Sequence, residues 1–204
     1  MSNTIINVAH SQAVTEAEGP GRRYALWVQG CPLRCPGCCN PSFLPFAGGE
    51  ARTVSAILAD MERNRDLQGL VGISLLGGEP LAQAAGIASL AAGVQSLGLS
   101  VMIYTGFTLA ELREERDVHV DAVLASTDIL VDGPYDRTQP ESLRRWVGSR
   151  NQQVHFLSAR HRADEDCWRQ RNTLELRVTP SSISVNGFPA TEAAALWKGW
   201  SRRL

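Results

Sequence analysis

From Pro80 to Ala110 the chain carries not one charged residue. A run that long without charge is either a membrane span or the inside of a protein. Gln83, Ser89, Gln95 and Ser96 are poor lipid-facing residues, and the run divides into an Ala-rich helix to Leu97 and a strand, "LSVMIYT". That composition predicts a helix packed closely on a buried parallel sheet, whose strands are apolar on both faces. The expectation is an α/β core with no membrane association.

The neighbouring segments continue the alternation. "YALWVQG" is a strand that feeds a cysteine-rich loop. "TVSAILADMERNRD" sets Val54, Ile57, Leu58 and Met61 on one helical stripe, with Thr53 placed to cap it. "LVGISLL" is a short buried strand stopped by "GGEP", and "DILVDGPY" is another, ending in a turn. "TLAELREER" opens with Thr108 and Glu111 at capping-box spacing. Strand, loop and helix alternate to about residue 135, which predicts parallel strands joined by right-handed crossovers. Beyond it, "LELRVTPSSISVNGFP" reads as a hairpin and "ATEAAALWKGWSRRL" as a short terminal helix that turns Trp197 and Trp200 onto the core. The expected division is a core domain over 1–154 and an extension over 155–204. A formal net charge of -1 offers no basic surface to nucleic acid or an anionic membrane. The start, "MSNTIINVAHSQ", lacks a basic region followed by an apolar run, so no signal peptide is expected and the location is cytoplasmic.

Parallel α/β sheets bind ligands at the carboxyl ends of their strands. Four unusual loops fall at those ends: the cysteine loop, Gly77–Pro80, Thr105–Gly106 and Asp132–Pro134. The cysteine loop holds Cys31, Cys35 and Cys38 as C-x3-C-x2-C, with Cys39 adjacent. Disulfides fit poorly, because neighbours such as Cys38 and Cys39 pair only with strain and the expected compartment is reducing. Structural zinc draws its ligands as two separated pairs, and no second pair is present; Cys167 is single and far away. Three thiolates on a tight loop suit a [4Fe–4S] cluster, which ordinarily takes four, so one iron would keep an open position. Pro32, Pro36 and Gly37 hold such a loop in a turn-rich path.

At this point the residues resemble a known group. C-x3-C-x2-C after the first strand is similar to the signature of radical S-adenosylmethionine (SAM) enzymes, and "GGEP" resembles their second motif. "EGPGRR", "CPGCCN", "YTGFTLAEL", "DILVDGPYD" and "WVGSRNQQV" resemble, in order, the activating enzymes of anaerobic ribonucleotide reductase and related glycyl-radical activases, from about Gly19 to Val154. The family's late block usually ends Arg-Gly-Ser-x-Asn-Gln-Arg; here Val147 and Gln153 take its two arginine positions. The position after the third cluster cysteine is commonly aromatic or His, and here it is Cys39.

The resemblance implies a partial parallel β/α barrel of radical SAM type with a small C-terminal extension. It also implies an oxidoreductase holding a [4Fe–4S] cluster on Cys31, Cys35 and Cys38. SAM chelates the fourth iron and is cleaved by one electron to a 5′-deoxyadenosyl radical, which takes a hydrogen atom from a substrate. Gly77, Gly78, Glu79 and Pro80 are expected around the methionine end of SAM, Gly37 near the adenine, and Thr105 and Asp132 at its carboxylate or ribose. Asp132 has a second reading as a turn-forming Asp before Gly133, and Asn40 as a simple cap. Cys39 is expected as a small buried hydrophobe, and none of the four histidines is assigned a role. The implied partners are a glycyl-radical enzyme, or a peptide, as hydrogen donor and an electron donor such as flavodoxin or ferredoxin. Two alternatives stay open: a radical SAM enzyme acting on a peptide or small molecule, and a zinc-stabilised interaction module.

Overall fold

Four apolar segments that must avoid water on both faces make the centre of the molecule. In the computed structural model, which describes residues 4–178 and 183–187, β2 (Arg23–Val28), β4 (Gly72–Gly77), β5 (Ser100–Tyr104) and β6 (Ile129–Asp132) lie side by side and parallel. β2 and β6 are buried at every position. The full sheet has seven strands in the order β3-β1-β2-β4-β5-β6-β7. Its flanks are antiparallel: β1 (Ile5–Thr15) pairs with β2 and with β3 (Glu50–Thr53), and β7 (Gln153–Phe156) pairs with β6.

The expected α/β core with parallel central strands is what the chain forms, while the antiparallel flanks are an addition. β1 carries two register irregularities, β3 is the short polar "EART", and β7 is only "QVHF". Flanking strands of this kind lack the continuous apolar run that marks a central parallel strand.

Side chains alternate cleanly between the two sheet faces. Tyr24, Leu26, Val28, Ile73, Leu75, Val101, Ile103 and Leu130 face one large core, shared with α1 (Val54–Gln68), α2 (Ala84–Ser96), α3 (Leu109–Glu115) and α4 (Val118–Ala125). The uncharged run resolves into α2 and β5, as expected, except that its first turn, Pro80–Gln83, is a 3-10 helix. Among the described residues no helix is long and apolar enough to cross a membrane. Thr53 caps α1 by accepting from the Ala56 amide, and Thr108 and Glu111 form the reciprocal box at α3.

Among the described residues the opposite sheet face has no α-helix layer. Ala25, Trp27, Leu76 and Tyr104 line its upper part, beside Phe43. Its lower part, Met102, Ile129 and Val131, packs against Trp146, Phe156 and Trp168, with Trp168 edge-on to Trp146 and to Phe156. The expected hairpin is present as β8 (Leu174–Val178) and β9 (Ile183–Gly187). It returns to the N-terminal segment: Glu175 accepts from Thr15 Oγ1 at 2.8 Å and from the Glu16 amide at 2.6 Å, and the Gly187 amide donates to Glu18 at 2.8 Å. The expected terminal helix with Trp197 and Trp200 lies outside the described residues.

Under this face sits Arg23, fully buried and, among the described residues, without a carboxylate partner. Its five N–H groups are all used: Nε donates to Ser74 Oγ, Nη1 to Pro20 O and Ser100 Oγ, and Nη2 to the carbonyls of Ile73 and Ser100. One side chain of the "EGPGRR" block thereby ties the amino ends of β2, β4 and β5. Replacing it strands several buried acceptors at once, each costing about 1–3 kcal/mol. Arg23→Met is expected to lower the unfolding free energy by on the order of 3 kcal/mol, read from urea titration; a loss below about 1 kcal/mol would show that those acceptors find other donors.

Candidate functional site

All four loops predicted at strand ends meet on one rim, and hydrogen bonds join them in sequence. At the end of β4 the Gly78 amide donates to Val28 O at 2.7 Å and the Glu79 amide to Gly30 O at 2.9 Å, which fixes that turn to the start of the cysteine loop. Space there admits only glycine: a Cβ on Gly78 would stand 2.3 Å from Gly30 O. Gly77, the last residue of β4, has φ +108°. From β5 the Thr105 amide donates to Val131 O, and from the turn after β6 the Gly133 amide donates to Phe107 O, both at 2.9 Å.

Glu79 closes the remaining gap. It is 1% exposed, and its carboxylate accepts from the Leu81 amide, from Thr105 Oγ1 and from the Gly106 amide, each at 2.9 Å. Burial pushes its pKa up to about 7, against the pull of those three donors. Pro80 follows as the first residue of the 3-10 turn, where its missing N–H costs nothing.

Thr105 and Asp132 stand on this rim, but their side chains are engaged within the protein. The Thr105 hydroxyl donates to Glu79 and accepts from the Phe107 amide. Asp132 accepts from the Leu109 amide at 2.6 Å, and His155 Nε2 stands 3.0 Å from the same oxygen. Asp132 therefore holds the start of α3 rather than its own turn. His155 escaped the sequence reading because no second ligand-spaced histidine accompanies it; only strand pairing across β6 and β7 brings it to Asp132.

The cysteine loop is a chain of turns. Arg34 has φ +51°, and Gly37 has φ +78° with the Arg137 side chain packed where a Cβ would be. Cys31 is buried, Cys35 and Cys38 are half-buried, and all are free thiols. Burial pushes the Cys31 thiol up, while the Leu33 and Arg34 amides aimed at it favour the thiolate. Cys38 is drawn down to about 6 by the Cys39 thiol, which donates to it, and by the Asn40 amide at 3.4 Å. Asn40 acts through its backbone; its side chain makes no capping bond to the following 3-10 turn.

Cys39 corrects an expectation. It is exposed rather than a buried hydrophobe, because the tight turn closed by the Cys38 amide on Cys35 O carries it to the outside of the loop. Cys167 lies apart, against the Trp168 cluster, as expected.

Among the described residues no group of three or more His, Cys, Asp or Glu side chains converges on a single-ion site. A cubane cluster makes a different demand, since it takes its thiolates at separate corners. The donor chemistry fits it: three free thiols on one loop, with backbone N–H groups directed at two of them. Two grooves flank the rim. One of about 520 Å³ is lined by Asp132, His155, Arg113 and Asn151; the other, of about 480 Å³, runs between Pro36 of the cysteine loop and Tyr135–Gln139.

The 4Fe-4S single cluster domain family matches residues 17–155. An anaerobic ribonucleoside-triphosphate reductase-activating protein of Vibrio cholerae is 34% identical over 145 residues, covering 67% of this chain and 89% of that protein. The proteins of the same name from Salmonella typhimurium and Escherichia coli K12 are 35% and 33% identical over 147 residues, covering 68% of this chain and 91% of theirs. Among solved structures, QueE from Escherichia coli overlaps 51% of this chain and 53% of its own at a TM-score of 0.38 and 19% identity.

Two outcomes test the site. Gly78→Ala forces the β4 turn off Gly30 and is expected to loosen the cysteine loop, read as faster alkylation of Cys31 in the metal-free protein; an unchanged rate would mean the turn yields elsewhere. Glu79 keeps its proton longer in the fold than in the unfolded chain. Its contribution is thus fully present below about pH 4.5 and lost as pH rises to about 7, for about 3 kcal/mol of decline. In the metal-free protein Glu79→Gln should remove that part of the decline, leaving the share owed to Glu18, which burial also raises to about 7. An identical slope in the variant would show that Glu79 is ionised throughout.

Proposed function

Because the chain belongs to the 4Fe-4S single cluster domain family and to that of the anaerobic ribonucleoside-triphosphate reductase-activating proteins, we propose that it is a radical SAM activase that installs a glycyl radical on a partner enzyme of the anaerobic ribonucleotide reductase type. The observation that carries this reading is the cysteine loop, whose three thiols have backbone donors at two of them and which is bonded directly to the turn of the buried Glu79. Cys31, Cys35 and Cys38 would hold a [4Fe–4S] cluster with one iron left to SAM. When bound, the pair supplies one-electron cleavage of the sulfonium bond and a 5′-deoxyadenosyl radical that removes a hydrogen atom.

The chain's own residues then position and exclude. Gly77, Gly78, Glu79 and Pro80 form the wall we assign to the methionine end, with Glu79 setting its shape through Thr105 and Gly106. Gly37 and Asn40 would offer backbone groups to the adenine side. Thr105 and Asp132 act in this reading by holding neighbouring amides, since their side-chain oxygens are already occupied. The sheet face at Trp27, Leu76 and Tyr104 would be the floor over which a partner's glycine loop enters.

We read the sheet as an incomplete barrel. Its parallel strands run β2-β4-β5-β6 without reversal, with the helices on one face, and the order never closes. The core division is taken at about 154, within β7, with the remainder as an extension whose hairpin docks on Thr15, Glu16 and Glu18. A flavodoxin- or ferredoxin-like electron donor and a cytoplasmic location complete the proposal. The second reading, a peptide or small-molecule substrate, is favoured by Trp168, which lies beyond the family match and fills the lower sheet face where a bulky partner loop would otherwise fit.

Oxygen-free reconstitution with iron and sulfide, followed by assay for 5′-deoxyadenosine, tests the chemistry. Cys31→Ala, Cys35→Ala and Cys38→Ala should each abolish product, while Cys39→Ala should largely spare it. Equal loss from Cys39→Ala would reassign the ligands, and zinc without iron would end the enzyme reading. Incubation with an anaerobic reductase should then give a glycyl EPR doublet. SAM cleavage without that doublet would move the assignment to the second reading.

A further inference from the structure

The seven-stranded sheet ends in two unlike edges. β3 forms one of them and carries Glu50 and Arg52, a charge at every second residue. β7 forms the other with Gln153, Val154, His155 and Phe156, and holds no acidic residue, no Lys or Arg and no Pro. Its register with β6 runs through Ile129 to Asp132 without a bulge. Charges, prolines and bulges are the means by which an edge strand is kept from pairing with another chain. β7 has none of them.

The register fixes which backbone groups of β7 are left over. Val131 O is taken by the Thr105 amide, so Val131 turns its backbone toward β5. Backbone direction alternates along a strand. Leu130 and Asp132 therefore turn theirs toward β7, where they face His155 and Gln153. The Leu157 amide donates to Asp128 O at 2.8 Å in the same phase. Val154 and Phe156 point their N–H and C=O groups away from the sheet, and among the described residues these groups have no hydrogen-bond partner.

Side chains divide in the same way. Val154 and Phe156 pack with the lower aromatic group. Gln153 and His155 line the groove of about 520 Å³ beside α3, together with Arg113 and Asp132. That groove meets the second one at Pro134 and Asn151, and the second runs along Pro36 of the cysteine loop. One cation and one carboxylate give the first groove no net charge by which to select a partner. What the edge offers is a ladder of main-chain groups, and its Gln153 end leads to the cysteine loop.

We propose that the edge of β7 receives an extended segment of the hydrogen-donating polypeptide, which adds to the sheet as a further strand. The proposal rests on the activase reading above, in which the hydrogen donor is a protein. The occupant has to be polypeptide backbone, because Val154 and Phe156 repeat a donor and an acceptor about 6.6 Å apart, the two-residue spacing of a strand. Its side chains alternate: apolar where they lie beside Val154 and Phe156, polar where they enter the groove at Arg113. In such strand addition the main-chain bonds give affinity and the alternate side chains give specificity. Beyond Gln153 the segment passes Asn151 and Pro134 toward Pro36. Docking on β7 thereby sets the register in which the partner presents its glycine.

Amide exchange and binding test this together. In the full chain alone, the Val154 and Phe156 amides should exchange at least about tenfold faster than those of His155 and Leu157. Bound to an anaerobic ribonucleotide reductase, both should slow to the rate of their neighbours. Val154→Pro removes an outward N–H that the sheet does not use, a position where an edge strand tolerates proline. It should weaken reductase binding about tenfold by calorimetry and lower the glycyl EPR doublet in step at limiting reductase. SAM cleavage by the iron-loaded variant, driven by dithionite without the reductase, should stay within about twofold of wild type. Gln153→Lys sets a charge on the edge at an exposed position, should also weaken binding, and keeps the test decisive if proline disturbs β7. Unchanged affinity in both variants overturns the proposal, as does a bound reductase that leaves Val154 and Phe156 exchanging freely. So does protection that appears without reductase and rises with the concentration of the chain, since the edge is then paired with a second copy. Protection of β7 by the reductase, with SAM cleaved and no glycyl doublet, supports the docking edge and sinks the activase reading. A wild-type chain that binds no reductase overturns both.

Discussion

A carboxylate with almost no contact with water holds the functional rim in place. Glu79 takes three donors from two strand ends, and its own amide is bonded back to Gly30. A buried acid is costly unless its oxygens are satisfied, so the loop after β4 cannot drift without leaving the loop after β5 unpaired. The cysteine loop is included in the same constraint through Gly30 and Val28. Three loops far apart in sequence therefore move as one, and the thiols are presented from a frame rather than from a free loop. A cluster that must leave one metal corner open demands such a frame, because the protein has to keep that corner clear without the help of a fourth ligand.

The two sheet faces serve different ends. One carries every α-helix of the described residues and buries the larger core. Among the described residues the other is covered without α-helices, by an aromatic group below and by loops and 3-10 turns above. The aromatic group is assembled from two regions outside the parallel strands: Trp146, held with φ +59° while its amide donates to Asn172, and Trp168 of the extension. A non-glycine residue in that conformation is retained only where its surroundings fix it. The extension is thus packed into the sheet at its lower part, while the upper part lies next to the cysteine loop.

Buried charge follows the same division. Arg23, satisfied wholly by neutral acceptors, stiffens the amino ends of three strands. Glu79 stiffens the carboxyl ends of two of them.

The amino-acid sequence by itself determined the parallel core, the helix caps at Thr53 and Thr108, the strand-end position of all four rim loops, and the spacing of the three thiols. These are local: each depends on period, on a turn residue or on a cap within a few positions. Tertiary structure alone decided the antiparallel flanks, whose short or irregular strands carry little pattern of their own. It also decided that Cys39 faces outward, that His155 meets Asp132, and that Arg137 lies on Gly37. Above all it decided that Glu79 spends its oxygens on Thr105 and Gly106, residues on the far side of α2 and β5 in sequence. Hydrogen bonds between strand ends depend on which strands become neighbours, and no window of sequence contains that information.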